Sequence, residues 1–247
     1  MQDRAYWITW YDLPNAGRED YKNWLHGIYI PKMLSRPGIL WGAHYQAEAN
    51  VVPLGGGKGR VSRHAPEGEV PGGTQFILIF GAAEPHIFVD PPLSEFHAGL
   101  TDEDRAMLAT RQGERTNLMV TEARVAGPDG GKDEPNGLPS PAIQLGSFNA
   151  DSPKAEDAMA TWYAQWRLPS LTTVPGMVRV RKLTSVAGWA KHACFYEFSS
   201  LAARNENFIH YEDDKPDMVA WSQKVVDTLI HATPRAIVAQ RLWPPVS

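Results

Sequence analysis

A chain of 247 residues, 43% hydrophobic and 21% charged, is long enough to bury a large core, and its composition excludes a disordered or fibrous protein. The balance of 24 Lys and Arg against 28 Asp and Glu gives a net charge of −4 with no basic run, which argues against nucleic acid as a partner. The single cysteine, Cys194, excludes an internal disulfide and a Cys-based zinc site; no apolar stretch reaches membrane-helix length, and no secretory leader is present, so a soluble cytoplasmic protein is expected.

In chain order, YWITWYD from Tyr6 has the composition of a strand. Tyr21, Trp24, Leu25 and Ile28 then fall at i, i+3, i+4 and i+7, the buried stripe of an amphipathic helix that ends towards Pro37-Gly38. ILWGAHYQ from Ile39 is a second strand. From Asn50 to Gly73 no apolar period is sustained, so a long excursion is expected; it contains LGGGKGR, in which Gly59 follows Lys58 where a phosphate loop requires Ser or Thr. TQFILIF from Thr74 is a third strand. Thr101-Asp-Glu-Asp resembles a capping box for a helix that stops at Gly113, and NLMVTEARV from Asn117 is a fourth strand.

Residues 127–141 hold eight Gly or Pro in fifteen and read as a linker. Beyond it the order recurs. AIQLGSF from Ala142 is followed by a helix with Met159, Trp162, Tyr163 and Trp166 on its stripe, then by MVRVRKL from Met177 and HACFYEF from His192. A cap near Asp214 starts PDMVAWSQKVVDTLIH, and PRAIVAQRLW from Pro234 closes the chain. WLHGIYIPKMLSRPG from Trp24 and WYAQWRLPSLTTVPG from Trp162 share the spacing of Trp, Pro and Pro-Gly at an offset of 138 residues. Each half therefore reads βαββαβ. The expected fold is α+β, with ferredoxin-like halves at 1–126 and 142–247 packed sheet to sheet in one chain.

With its two Pro-Gly junctions and the x-x-P that precedes each, the sequence resembles the dimeric α+β barrel superfamily in its tandem-duplicated, EthD-like form, over roughly residues 5–126 and 141–245. The resemblance implies an intramolecular barrel, with a further homodimer open to the complete chain. In such proteins a His commonly stands two residues before the proline; here Tyr29 and Arg167 occupy those places. Related cyclases and isomerases often carry polar catalytic residues before the second helix, which directs attention to His86 and His97 in the first half and to His210 and Tyr211 in the second.

Read from the residues themselves, Glu197 and Arg167 interrupt apolar elements, and alternation sends Arg179 and Arg181 to one sheet face. These charges suit either an acidic substituent of a substrate or a buried ion pair across the barrel. Trp10 and Trp41 are expected to line a cavity between sheet and helices, suited to a small hydrophobic or aromatic molecule. Cys194, inside an apolar strand, reads as a small buried hydrophobe. No His pair has metal-ligand spacing, and no metal is expected.

The leading expectation is a cofactor-independent lyase, isomerase or cyclase. His97 or His210 would serve as base, Tyr29 or Tyr211 as hydrogen-bond donor to a developing oxyanion, and Arg167, Arg179 or Arg181 as anchor for an acid group. One alternative is haem held by a helix-borne His, with His26 and His231 as the candidates. Another is a noncatalytic binding or accessory protein. A pocket in the second half would be bordered by Arg167, Arg179 or Arg181, Glu197 and His210.

Overall fold

A computed structural model describes residues 2–51, 62–131, 137–232 and 236–246. Strands β1 (Ala5–Asp12), β2 (Ile39–Ala47), β4 (Phe76–Ala82) and β5 (Gln112–Ala126) lie in the order β5-β1-β4-β2; β6 (Ala142–Ala150), β7 (Met177–Gly188), β8 (His192–Phe198) and β10 (Ile237–Trp243) lie in the order β10-β6-β8-β7. The two groups join edge to edge, β5 to β7 and β10 to β2, so that eight antiparallel strands close into one barrel. Closure removes the exposed edges that either group would present alone. Two short strands, β3 (Arg63–His64) and β9 (Leu229–His231), form a parallel annex beside β6.

The period-2 alternation of the strands decides what faces the lumen. Tyr6, Ile8 and Trp10 of β1 point inward with Trp41, Ile79, Leu183 and Phe195, filling the barrel. Trp7 and Tyr11 point outward into a layer shared with the first-half helices, and the outward residues of β6 and β8 do the same in the second half. Trp10 and Trp41 therefore line no cavity between sheet and helices, contrary to the sequence expectation: they are 1% and 3% exposed on the opposite face of the sheet. Close packing there requires Gly81, where a Cβ would come within 2.2 Å of the Trp41 ring.

Both principal helices contain the same irregularity. α1 (Arg18–Trp24) continues through a π turn at Leu25–Tyr29 into α2 (Ile30–Leu34), and α5 (Pro153–Trp162) continues through a π turn at Tyr163–Arg167 into α6 (Leu168–Leu171). Pro31 and Pro169 explain the placement: neither donates a backbone N–H, and each ring crowds the carbonyl four residues earlier, so a widened turn relieves the helix. The repeated Pro-Gly closes a β-turn in both halves, Ile39 N donating to Arg36 O at 3.3 Å and Met177 N to Val174 O at 3.1 Å. Gly38 and Gly176, with φ of 88° and 79°, supply the left-handed residue such a turn needs.

Short helices α3 (Leu93–Ala98) and α7 (Leu201–Asn207) precede α4 (Asp102–Leu108) and α8 (Pro216–Val226). Thr101 caps α4 as its sequence suggests, accepting from Asp104 N, but α4 ends at Leu108 and Gly113 lies inside β5. Similarly α8 begins at Pro216, after Lys215 in the N-cap position, and stops at Val226, so His231 lies on β9 rather than on a helix. LGGGKGR and Pro234 lie outside the described residues. Among the described residues, no helix is long and apolar enough to cross a membrane.

Candidate active site between the second sheet and its helices

A cavity of about 480 Å³ opens between the outer face of the second-half sheet and the helices that cover it. Gln144, Gly146 and Phe148 of β6 and Cys194 and Tyr196 of β8 form its floor; Trp162, Tyr163 and Arg167 descend from the helix, and Arg204, Val226 and His231 complete the wall. Strand register explains the space. Thr9 pairs with Leu78 where Gly146 pairs with Cys194, and Trp7 pairs with Phe80 where Gln144 pairs with Tyr196. Smaller or more polar side chains thus stand in the second half where the first has Trp7, Thr9 and Leu78.

The π turn aims Arg167 into this space. Its Nε and Nη2 donate to Tyr196 Oη at 3.2 and 3.0 Å, and its Nη1 donates to Tyr211 Oη. Tyr211 donates in turn to Glu212 Oε1 at 2.6 Å, and Trp166 and Ser222 donate to the same oxygen at 3.2 and 3.0 Å. Burial opposes the Arg167 charge, yet the surrounding Tyr196, Tyr211 and Glu212 hold its pKa well above the ordinary value, so the guanidinium stays charged. Because Tyr196 Oη accepts both Arg167 bonds, its own hydrogen remains for the cavity or for the neighbouring Cys194 sulfur. Burial pushes the Tyr196 phenol up, and it stays a neutral donor at neutral pH; burial likewise raises the Cys194 thiol.

The residues singled out from sequence fall into three separate places. Arg167 and Tyr211 meet at the cavity's network. Arg179, Arg181 and Glu197 meet inside the barrel: Arg179 clamps Glu197 at 2.8 and 2.9 Å, and Arg181 bonds both Glu197 and Asp3, the latter at 3.0 Å. Burial works to raise the Glu197 carboxyl, but the two guanidiniums outweigh it and hold it below the usual range. Asp3 also bonds Arg124 at 2.7 Å and accepts from Trp41 Nε1 at 3.3 Å. The expectation that Arg179, Arg181 and Glu197 border the second-half pocket is thus corrected: a two-residue period puts them on the lumen face, while the pocket lies on the other. His210 is also displaced from it, half exposed and paired with Asp213 at 2.7 Å.

The third place is the helical layer of the first half. There Tyr29 Oη lies 2.8 Å from His97 Nε2, joining two residues expected to act together, but away from the cavity. His86 lies on the 3₁₀ turn Pro85–Phe88 and is exposed. Nearby, His26 Nε2 meets His44 Nδ1 at 2.8 Å, and His44 Nε2 meets Tyr11 Oη at 2.9 Å. Burial lowers His44 well below the ordinary imidazole value and, with Lys22, lowers His26 to about 4. An unfolded chain takes up protons near pH 6.5 that these folded imidazoles refuse, so their contribution is complete above pH 6.5 and is lost as pH falls towards 4. Thermal denaturation should therefore show Tm falling more steeply from pH 7 to 4.5 in the natural chain than in His26→Gln; parallel curves would refute the assignment.

Cys194, Tyr196, Gln144, Arg204 and His231 lie at the cavity, yet sequence reasoning gave only Cys194 and His231 any weight there, and neither as a member of this pocket. Gly146 in an apolar strand was the available signal, since an interior glycine marks close approach by another group. For haem, the donor set does not match a helix-borne ligand. The helix presents Trp162, Tyr163 and Arg167 to the cavity, His231 approaches from β9, and His26 is bound to His44. Among the described residues no group of three or more His, Cys, Asp or Glu is placed to hold a metal ion.

No protein-family profile matches the chain, and no curated protein matches it in sequence. In backbone it is similar to a proposed monooxygenase of Fusobacterium nucleatum (TM-score 0.59, 10% identity, 98% of this chain and 94% of that one). It is similar also to an anthrone oxidase-like protein (0.59, 11%, 98% and 92%) and to a proposed chlorite dismutase (0.51, 11%, 98% and 96%). The likeness shows that this chain has the barrel fold of these proteins.

Proposed function

We propose that the chain is an enzyme that moves a proton on a small, largely apolar aromatic molecule held in the second-half cavity, using its own side chains without a cofactor. The observation that carries this reading is the Arg167–Tyr196 pair on an aromatic-lined cavity of about 480 Å³, a size that suits a small ligand. A charged guanidinium behind a neutral phenol makes a fixed donor for an oxygen that gains negative charge. Glu212 and Tyr211 hold that guanidinium in place.

His231 is the histidine that borders the cavity, on the wall nearest Phe148, with which it pairs across β6 and β9. In this reading His231 accepts a proton from an acidic C–H or O–H of the ligand. The electron pair left behind spreads onto a ring or carbonyl oxygen, where Tyr196 donates to it, and return of the proton to a different atom gives an isomer. The same anion is where an oxygenation by dioxygen would begin; the fold shared with a proposed monooxygenase and an anthrone oxidase-like protein supports measuring oxygen uptake beside isomerisation.

We assign the architecture to two ferredoxin-like units repeated in tandem, the first serving as scaffold and the second as the catalytic half. The shared strand order, the matching π turns and the matching Pro-Gly turns support this. A panel of hydroxylated bicyclic aromatics and lactones tests the function, with solvent deuterium incorporation and oxygen consumption as readouts. His231→Gln should slow deuterium incorporation about 100-fold, and Val226→Trp, which fills the cavity, should abolish binding. Unchanged exchange in both variants would refute the site.

A further inference from the structure

Resting on the reading of His231 as proton acceptor, we propose that His64 relays the proton between His231 and solvent, so that the hydrogen taken from the ligand is exchanged rather than returned. His64 belongs to the first half of the chain. By residue 62 the segment that leaves β2 has reached the second-half cavity, where Ser62 forms part of the lining and Arg63–His64 pairs with β9 in the parallel annex. Ala65 N donates to His231 O at 2.9 Å and fixes that register.

The register sets two imidazoles side by side. Paired residues of neighbouring strands point to the same face, and His64 and His231 are such a pair, with ring centroids 6.4 Å apart. Phe148 packs on the other side of His231 at 5.5 Å, so the ring of His231 is held between β3 and β6. His231 borders the cavity and its Nε2 is shut off from solvent, whereas His64 is exposed. The pair thus joins the cavity wall to the surface. Arg63, the other residue of β3, is turned to Asp151 at 2.5 Å and anchors the strand.

An imidazole accepts a proton on one ring nitrogen and releases one from the other. The separation of the two rings suits transfer through one water molecule. In the forward direction the electron pair of the broken C–H bond stays on the ligand as the anion that Tyr196 meets, and His231 becomes cationic. His231 then gives a proton to His64, which gives it to water, and both rings return to neutral. The same path in reverse delivers a solvent hydrogen to the ligand. Without His64, the proton on His231 goes back to the carbon it left.

The test is deuterium incorporation from heavy water at the benzylic C–H of 3-isochromanone, a bicyclic lactone, catalysed by the full chain and followed by proton NMR. His64→Ala, a change at an exposed position, should leave Tm unchanged and slow incorporation about tenfold or more. Imidazole added to the buffer should restore the rate in proportion to its concentration, which it would not do if His64 served only to hold the annex together. His231→Gln should lose incorporation with His64 in place. If His64→Ala exchanges as fast as the natural chain, or imidazole does not restore its rate, the relay is overturned and the His231 reading stands. If the natural chain does not exchange the lactone, or His231→Gln exchanges it equally fast, both fall.

Discussion

Glu197→Ala should lower stability by about 3–5 kcal/mol, because it strips the shared anion from Arg179 and Arg181 inside a closed barrel. For a chain of this size that corresponds to a fall in Tm of roughly 10 °C or more. Glu197 and Arg181 are 0% exposed, and Arg181 would keep Asp3, a carboxylate that also serves Arg124. Removal of Arg181 together with Glu197 should cost less than the two single losses added, since the pair acts as a unit. Thermal and denaturant unfolding read the loss, and ligand titration of the folded variant should be unaffected. Full stability in Glu197→Ala would show that the network holds nothing together, and a selective loss of ligand binding would return these residues to the site.

Tyr196→Phe should lower Tm by only a few degrees and lower kcat of the folded enzyme about 100-fold or more, the scale expected when one preorganised oxyanion donor is removed. Loss of a single hydroxyl keeps the ring that packs against Phe208 at 5.2 Å and frees Arg167 Nε and Nη2 without moving the chain. KM should change little, because this bond strengthens only as charge develops. Arg167→Met is expected to behave differently. It removes the donor behind Tyr196 and also takes the Arg167 charge away from the buried Glu212, so both turnover and stability fall. If both variants lose activity only in proportion to unfolding, Tyr196 is a packing residue. If kcat of folded Tyr196→Phe falls far more than its small loss of stability explains, the oxyanion role stands.

The contrast between these two groups of charges shows how far the sequence could be read. Arg167, Arg179, Arg181 and Glu197 all appear as charges on apolar elements, and in sequence they look alike. Barrel closure separates them. Alternation along β7 and β8 directs Arg179, Arg181 and Glu197 to the lumen, whereas Tyr196, one residue away, faces the helices. Which face holds a cavity depends on strand register and on what the covering helix brings, and neither is encoded locally. His97 and Tyr29 do meet, at 2.8 Å, but within a filled layer. Arg204 lies on a seven-residue helix too short to leave a periodic signal.

By itself the sequence determined the order of the main strands and helices and the two corresponding Pro-Gly turns. Those features arise from local chemistry: alternation, helical stripes, proline's missing N–H and glycine's access to positive φ. Tertiary structure alone decided that the sheets join at β5–β7 and β10–β2, that Trp10 and Trp41 fill the lumen, and that the open space lies over Gly146. Each of these depends on pairings between residues far apart in the chain. A cavity is the volume that packing leaves unfilled, so it has no residue pattern of its own until every surrounding side chain has been placed.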